Sequence, residues 1–439
     1  MGEERILEPM FEKMRRTELR EIQLKRLKEV VHRVYECVPF YYSKMKELNV
    51  SPDDIRSIED VRKLPFTTKN DLRNNYPFKL SAVPLSEIVE IHASSGTTGT
   101  PTLGYYTEND LKNWGDLVGR AFKMAGVGKS DVVQITASLG MFSGGFAFYH
   151  GARRVGATIV PASAGYSRRQ LQYMIDFGTT TVCAITSYML RLAEIAKEMN
   201  IDPISNTSVR KGLLGSEAWS QQMWKRVCET WNMDAYDAYG LTELNGGPGV
   251  AADCQFHDGL HVWEDHYIVE VVDPNSGEHC ELEEKGELVF TTLCKEAMPL
   301  LRYRTRDVSF LYASENCDCG RTLRRIGRIQ GRTDDMIKVS GVNFWPSLIE
   351  EALLKHPEVG PEYQIIVDRV SEVDRLTIYI ETKTIINEEE KKKVLSQTLR
   401  DELRELLLFT PNIEVVDPGQ LPRVEVGKAK RVIDKRVSG

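Results

Sequence analysis

No stretch of about 18 apolar residues occurs in this chain, so a helical membrane span is not expected. A secretion signal is missing too. The opening MGEERILEPM carries acids where such a signal needs bases, and no apolar core follows. Ile6 stands where myristoylation of Gly2 would need Ser or Thr. These absences point to the cytoplasm. There is no basic surplus either: Lys and Arg total 57 against 64 Asp and Glu, a formal net charge of -7, which weighs against a nucleic-acid partner. The eight cysteines come without a secretion signal and read as reduced thiols or metal ligands, not as a disulfide framework. No internal repeat is found.

What is there is patterned. At 439 residues the chain exceeds one ordinary core, which predicts a large domain and a smaller one. Between Ile6 and Val34 apolar residues recur at helical spacing, and Pro39 is expected to end that region. β-rich runs at Val132–Thr136, Thr158–Pro161, Thr181–Thr186 and Gly212–Leu214 alternate with helical patterns at Gly144–Val155, Arg168–Phe177 and Ser187–Met199. That alternation marks βαβ units around a parallel sheet. After residue 250, turn residues such as Asp273–Gly277 separate short strands, Tyr267–Val272 and Glu287–Thr292 among them, which predicts a β subdomain. The tail reads strand–helix–strand–strand–helix–strand, with Pro346 at a helix start and Glu388–Lys393 on an exposed helix face. The expected fold class is α/β: a large N-terminal domain of parallel α/β sheets with a β subdomain, residues 1–332, then a small α+β domain, residues 333–439.

The most informative short stretch is SSGTTGTPT, Ser94 to Thr102, which follows the β-rich run Ile88–Ala93. Gly96 and Gly99 bracket two threonines. Glycines let backbone N–H groups turn toward an anion, and hydroxyls add further donors, so the loop suits a polyphosphate. It is not a Walker loop, which needs a lysine inside Gly-x-x-x-x-Gly-Lys-Ser/Thr. A surface turn rich in small polar residues is the plainer alternative.

This loop resembles the phosphate loop of the adenylate-forming superfamily, and further motifs follow in that superfamily's order. Ala238–Glu243 (AYGLTE) resembles its tyrosine–glycine–threonine–glutamate motif, Arg302–Asp307 (RYRTRD) its arginine–aspartate motif, Gly331–Asp335 (GRTDD) its inter-domain hinge, and Pro422–Lys428 (PRVEVGK) its C-terminal lysine loop. GSEAW at Gly215–Trp219, GLHVWEDH at Gly259–His266, CKEAMPLLRYRTRD and GRTDDMIKVSGVNFWPS resemble the phenylacetate–CoA ligase branch more narrowly. The resemblance implies an ATP-dependent acid–CoA ligase, which joins a carboxylic acid to AMP and passes the acyl group to a thiol.

It also implies roles. Ser95, Thr97, Thr98 and Gly99 would cradle the phosphates of ATP, Glu243 would ligate Mg2+, and Thr242 would contact the α-phosphate. Asp307 would accept hydrogen bonds from the ribose, helped by Arg332 there or at the phosphate. Gly215, Ser216, Glu217, Asp237, Tyr239 and Gly240 would frame the nucleotide. Lys428 would be the catalytic cation; Lys430 and Arg431 beside it also read as a solvated basic tail. Asp334 matches the pivot about which the C-terminal α+β domain becomes mobile between half-reactions. Leu139, Phe142 and Gly144 lie in the segment resembling the acid pocket, where phenylacetate enzymes tend to have tyrosine at the position of Leu139. The acid expected is aromatic, phenylacetate or an analogue, with a small branched or hydroxylated acid as the alternative.

Cys317 and Cys319, with the C-x2-H pair Cys254 and His257, make a Cys3His set of the kind that closes a structural zinc site. Some relatives in the branch resemble this arrangement. Unrelated thiols are the competing reading, and His261 is a competing ligand. The expected partners are thus a small carboxylic acid, ATP (leaving as AMP) and coenzyme A, with Mg2+ and a structural Zn2+, and no nucleic acid or membrane. A homodimer is admitted, not required. Two rival functions stay open: loading a carrier protein in place of CoA, and non-catalytic nucleotide binding.

Overall fold

The computed structural model describes residues 5–94, 100–314, 316–339, 342–370, 373–423 and 431–436. Near the N-terminus, helix Arg16–Cys37 buries Leu19, Gln23, Leu27, Val30, Val31 and Val34, the stripe that a 3.6-residue period places on one face. Pro39 ends this helix, as expected. It disfavours the helical conformation at Val38, which is extended, and then serves as the first residue of a new helix, Pro39–Glu47.

The centre is an eight-stranded mixed sheet. Its strands run, from one edge to the other, Arg325–Ile326, Leu260–Val262, Ala251–Asp253, Asp234–Tyr239, Lys211–Gly215, Thr181–Ile185, Val132–Ile135 and Thr158–Val160. The last five are parallel, as the alternation predicts, and the others are antiparallel. Neighbouring residues along each strand feed different cores. Cys183, Leu213 and Tyr236 join helices Glu108–Met124 and Ser143–Val155 on one face. Val182, Ala184, Leu214 and Ala235 join helices Ser167–Asp176, Thr186–Glu198 and Gln221–Trp231 on the other. A sheet covered on both faces has continuous apolar strands, which is why these runs stand out in the sequence.

The β-rich region after residue 250 divides. Strands Tyr267–Val272, Gly286–Thr292, Tyr303–Ser309 and Gly331–Arg332 form a separate antiparallel sheet. Ala251–Asp253 instead folds back beside its parent strand, Ala252 opposite Ala238, and extends the α/β sheet. Composition does not reveal that reversal, because both destinations want short β-branched and apolar strands.

The C-terminal part has its own core. Helix Pro346–Leu354 begins on proline, and helix Glu389–Leu407 buries Leu395, Leu399, Leu403 and Leu407 as one stripe. Both pack on a sheet ordered Asn412–Val416, Val373–Thr382, Val359–Val370, Val432–Asp434. Among the described residues no helix is long and apolar enough to cross a membrane.

Candidate active site

The glycine–threonine loop joins two antiparallel strands, Glu90–Ala93 and Leu103–Tyr106. Ser95, Thr97, Thr98 and Gly99 lie outside the described residues, as does Lys428. The loop's neck is well defined. Ser94 N–H donates to Thr102 O at 2.9 Å, and Thr102 N–H and Oγ1 donate to Ser94 Oγ at 3.0 and 2.9 Å. Ala93 N–H reaches Met141 O at 2.8 Å, which ties the neck to the segment expected to line the acid pocket.

Thr242 and Glu243 stand on the turn after strand Asp234–Tyr239, against that neck. Gly104 makes the approach possible: a Cβ there would lie 2.2 Å from the Thr242 carbonyl oxygen. Tyr106 donates its hydroxyl to the same oxygen at 3.2 Å, and Ser143 Oγ donates to Thr242 Oγ1 at 3.1 Å. Glu243 is only 5% exposed. Its Oε1 accepts the Tyr303 hydroxyl, and its Oε2 lies 3.5 Å from Thr102 Oγ1. A carboxylate beside threonine hydroxyls is a hard-oxygen donor set that fits a magnesium ion.

Two lysines that sequence reasoning passed over converge here. Lys295 is buried, donates to Leu244 O at 2.9 Å, and sits 3.9 Å over the Tyr106 ring. Burial pulls its pKa down to about 8, against the carboxylates of Asp110 and Glu243. Lys69, at the start of helix Lys69–Asn74, is also pulled down by burial, with Glu243 opposing and Arg332 reinforcing. Lys295 lies inside the CKEAMPLLRYRTRD motif, but nothing in its spacing marks a buried cation.

A second group forms around Asp307. Tyr303 and Asp307 stand on one strand, Tyr303–Ser309, and bond to Glu243 and Tyr239 respectively, so the strand links the two groups. Asp307 accepts Tyr239 Oη at 2.7 Å and Arg332 Nη1 at 3.2 Å. Arg332 also donates to Asp334 at 2.9 Å, as does Arg306. Burial would raise the Asp334 pKa, but these two guanidinium groups hold it below the usual carboxylate range. Gly215 pairs in register with Ala238, which sets Gly215, Ser216 and Glu217 beside Tyr239 and Gly240. Glu217 accepts Ser187 N–H at 2.6 Å. Asp237 is buried, and burial pushes its carboxyl up to about 7, with Arg328 opposing. In the segment expected to line the acid pocket, Leu139 is half-buried, Phe142 is 42% exposed, and Gly144 leaves open space among the described residues.

The cysteine cluster forms, with one correction. Ligand atoms of Cys254, His261, Cys317 and Cys319 all lie within 4.8 Å of one another. His257 is not among them. Its ring turns away to Asp253 at 2.7 Å and Asp234 at 2.9 Å, because two carboxylates hold an imidazole from both sides better than a thiol does. His261 sits on strand Leu260–Val262, whose pairing with Arg325–Ile326 brings it to the Cys317–Cys319 loop. Its Nδ1 is 3.3 Å from Leu323 O and its Nε2 3.4 Å from Cys319 Sγ, so a proton on Nδ1 leaves the other nitrogen free to bind a metal. Three thiols and one such imidazole fit zinc.

The model of AMP-binding enzymes matches residues 22–294, and the model of the AMP-binding enzyme C-terminal domain matches 341–436. The phenylacetate-coenzyme A ligase of Aromatoleum evansii is 41% identical over 434 residues, 98% of this chain and 97% of that protein. The phenylacetate-coenzyme A ligase of Escherichia coli (strain K12) is 41% identical over 423 residues, 95% of each chain. Among solved structures, 2-hydroxyisobutyryl-CoA ligase in the postadenylation state superposes with a TM-score of 0.90 at 28% identity, over 98% of this chain and 92% of that one. The same ligase in the thioesterification state superposes at 0.71, with the same identity and coverage.

Proposed function

This chain belongs to the AMP-binding enzyme family, and on that premise we propose that it is an ATP-dependent carboxylic acid–CoA ligase acting on an aromatic acid, phenylacetate or an analogue. The observation that carries the reading is the near full-length likeness to phenylacetate-coenzyme A ligases, in a chain whose Glu243 and Asp307 are bridged by one strand.

The acid attacks the α-phosphorus of ATP and pyrophosphate leaves; CoA then attacks the acyl-adenylate and AMP leaves. Attack by an anion on an anion is mainly a problem of charge and alignment. Ser95, Thr97, Thr98 and Gly99 cradle the departing phosphates, Thr242 meets the α-phosphate, and Asp307 accepts the ribose hydroxyls. Gly215, Ser216, Glu217, Asp237, Tyr239 and Gly240 frame the base. Magnesium, held by Glu243, supplies charge neutralisation when bound. Lys428, on the C-terminal unit of residues 333–439, brings its ammonium to the charge that develops in the first step. That unit then turns about Asp334 to admit CoA. Leu139, Phe142 and Gly144 line the acid's pocket. Cys254, His261, Cys317 and Cys319 bind a structural zinc, with no position left open for substrate. An enzyme that consumes ATP and CoA belongs where both are held, the cytoplasm.

Acid-dependent pyrophosphate exchange across a panel of acids tests the reading, with phenylacetate and its ring analogues expected to lead. Exchange with no acid in the panel would sink it. A small hydroxylated acid leading instead would favour a second reading, which the 0.90 superposition on 2-hydroxyisobutyryl-CoA ligase supports. Elemental analysis of protein purified without added zinc decides the metal.

A further inference from the structure

Two helices from the two parts of the molecule meet through their ends. Helix Gln221–Trp231 covers the large sheet, and helix Pro346–Leu354 belongs to the C-terminal unit. At the start of the first, Ser220 and Gln222 N–H groups donate to the carboxylates of Glu350 and Glu351, each at 3.3 Å. Farther along it, Arg226 Nη1 donates to Val359 O at 2.9 Å, and its Nη2 to Leu354 O at 3.2 Å and His356 O at 3.4 Å. Those carbonyls cluster at the end of the second helix. The contacts are reciprocal: carboxylates meet the positive end of one helix and a guanidinium meets the negative end of the other. Leu354, although part of the C-terminal unit, is buried in the large unit's core with Met223, Val227 and Trp231.

Each of these three Arg226 bonds crosses to the C-terminal unit, to main-chain groups that move with it. The whole arrangement superposes at 0.90 on a postadenylation ligase and at 0.71 on the same ligase in its thioesterification state. The Arg226 grip therefore belongs to an adenylation-side orientation.

We propose that Arg226 is a positioning residue for the reaction: it latches the carbonyl end of helix Pro346–Leu354, holds the C-terminal unit in its adenylation-side orientation, and releases it for thioester formation. This rests on the ligase reading and on rotation of the C-terminal unit.

Two half-reactions and one shape measurement test it. Arg226→Met is expected to slow acid-dependent pyrophosphate exchange by about tenfold, while thioester formation from supplied phenylacetyl-adenylate stays within about twofold of wild type or rises. Arg226→Lys, which keeps one donor group, should recover part of the exchange. Glu351→Gln weakens the opposite end and should shift the ratio the same way by less, so the test survives if Arg226→Met does not fold. Small-angle scattering of the nucleotide-free protein should show a broader distribution of shapes for Arg226→Met than for wild type. Equal loss of both half-reactions with unchanged scattering would overturn the latch and leave the ligase reading standing. Wild type that exchanges pyrophosphate with no acid would overturn the ligase reading, and the scattering difference would then decide the latch alone.

Discussion

The described hydrogen bonds of Glu243 are buried and come from uncharged hydroxyls, whereas those of Asp334 are ion pairs that water can reach. Glu243 is buried and held by the Tyr303 hydroxyl. Asp334 is paired with Arg306 and Arg332, and its side chain is 35% exposed. Buried hydrogen bonds are costly to leave unmade, so they fix a group in one place. Exposed ion pairs contribute about 0–1 kcal/mol each and are readily exchanged. The contrast matches the roles proposed for the two carboxylates, one as the anchor of a phosphate site and the other as the pivot of the C-terminal unit.

The largest test of that contrast is at the anchor. Glu243→Gln keeps the shape and removes the charge, and should lower pyrophosphate exchange by about 100-fold while sparing thioester formation from supplied acyl-adenylate. Near-normal exchange would break the comparison. At the turn, Asp334→Pro removes both ion pairs and restricts the backbone, so thioester formation should fall by about tenfold, more than adenylation does. Equal losses in the two half-reactions would deny Asp334 a hinge role.

The smallest effect sharpens the comparison at a third carboxylate contact. Burial alone would lower the His257 pKa, but its bonds to Asp234 and Asp253 lift it to about 9. A raised pKa gives stabilisation that is complete below the unfolded histidine value of roughly 6.5 and is lost as pH rises through 9. His257→Gln should therefore cost about 1–2 kcal/mol near pH 6 and little above pH 9, read by denaturant unfolding at both values. A loss that does not change with pH would mean that the ring packs but is not held as a cation.

Much of this molecule is legible in its sequence because the signals are local. The parallel strands near Val132, Thr158, Thr181 and Gly212 announce themselves by apolar runs, and Pro346 and the Leu395–Leu407 stripe mark their helices. The motif order singles out Thr242, Glu243 and Asp307 in the same way, and the fold brings them to neighbouring positions. Other features escape for physical reasons. The C-x2-H spacing favours His257, yet sheet pairing carries His261 to the cysteines. Pro39 looks like a stop and is also a start, since proline both bars the helical conformation before it and suits a helix's first turn.

Sequence alone determined the α/β class and the order of the motifs that carry Thr242, Glu243 and Asp307, because these depend on neighbours a few positions apart. Tertiary structure decided which distant groups meet: Lys295 on the Leu244 carbonyl, His261 among the thiols, Arg226 on the far unit's carbonyls. Those meetings depend on strand register and helix docking, which are properties of the whole packed chain and are written in no single segment.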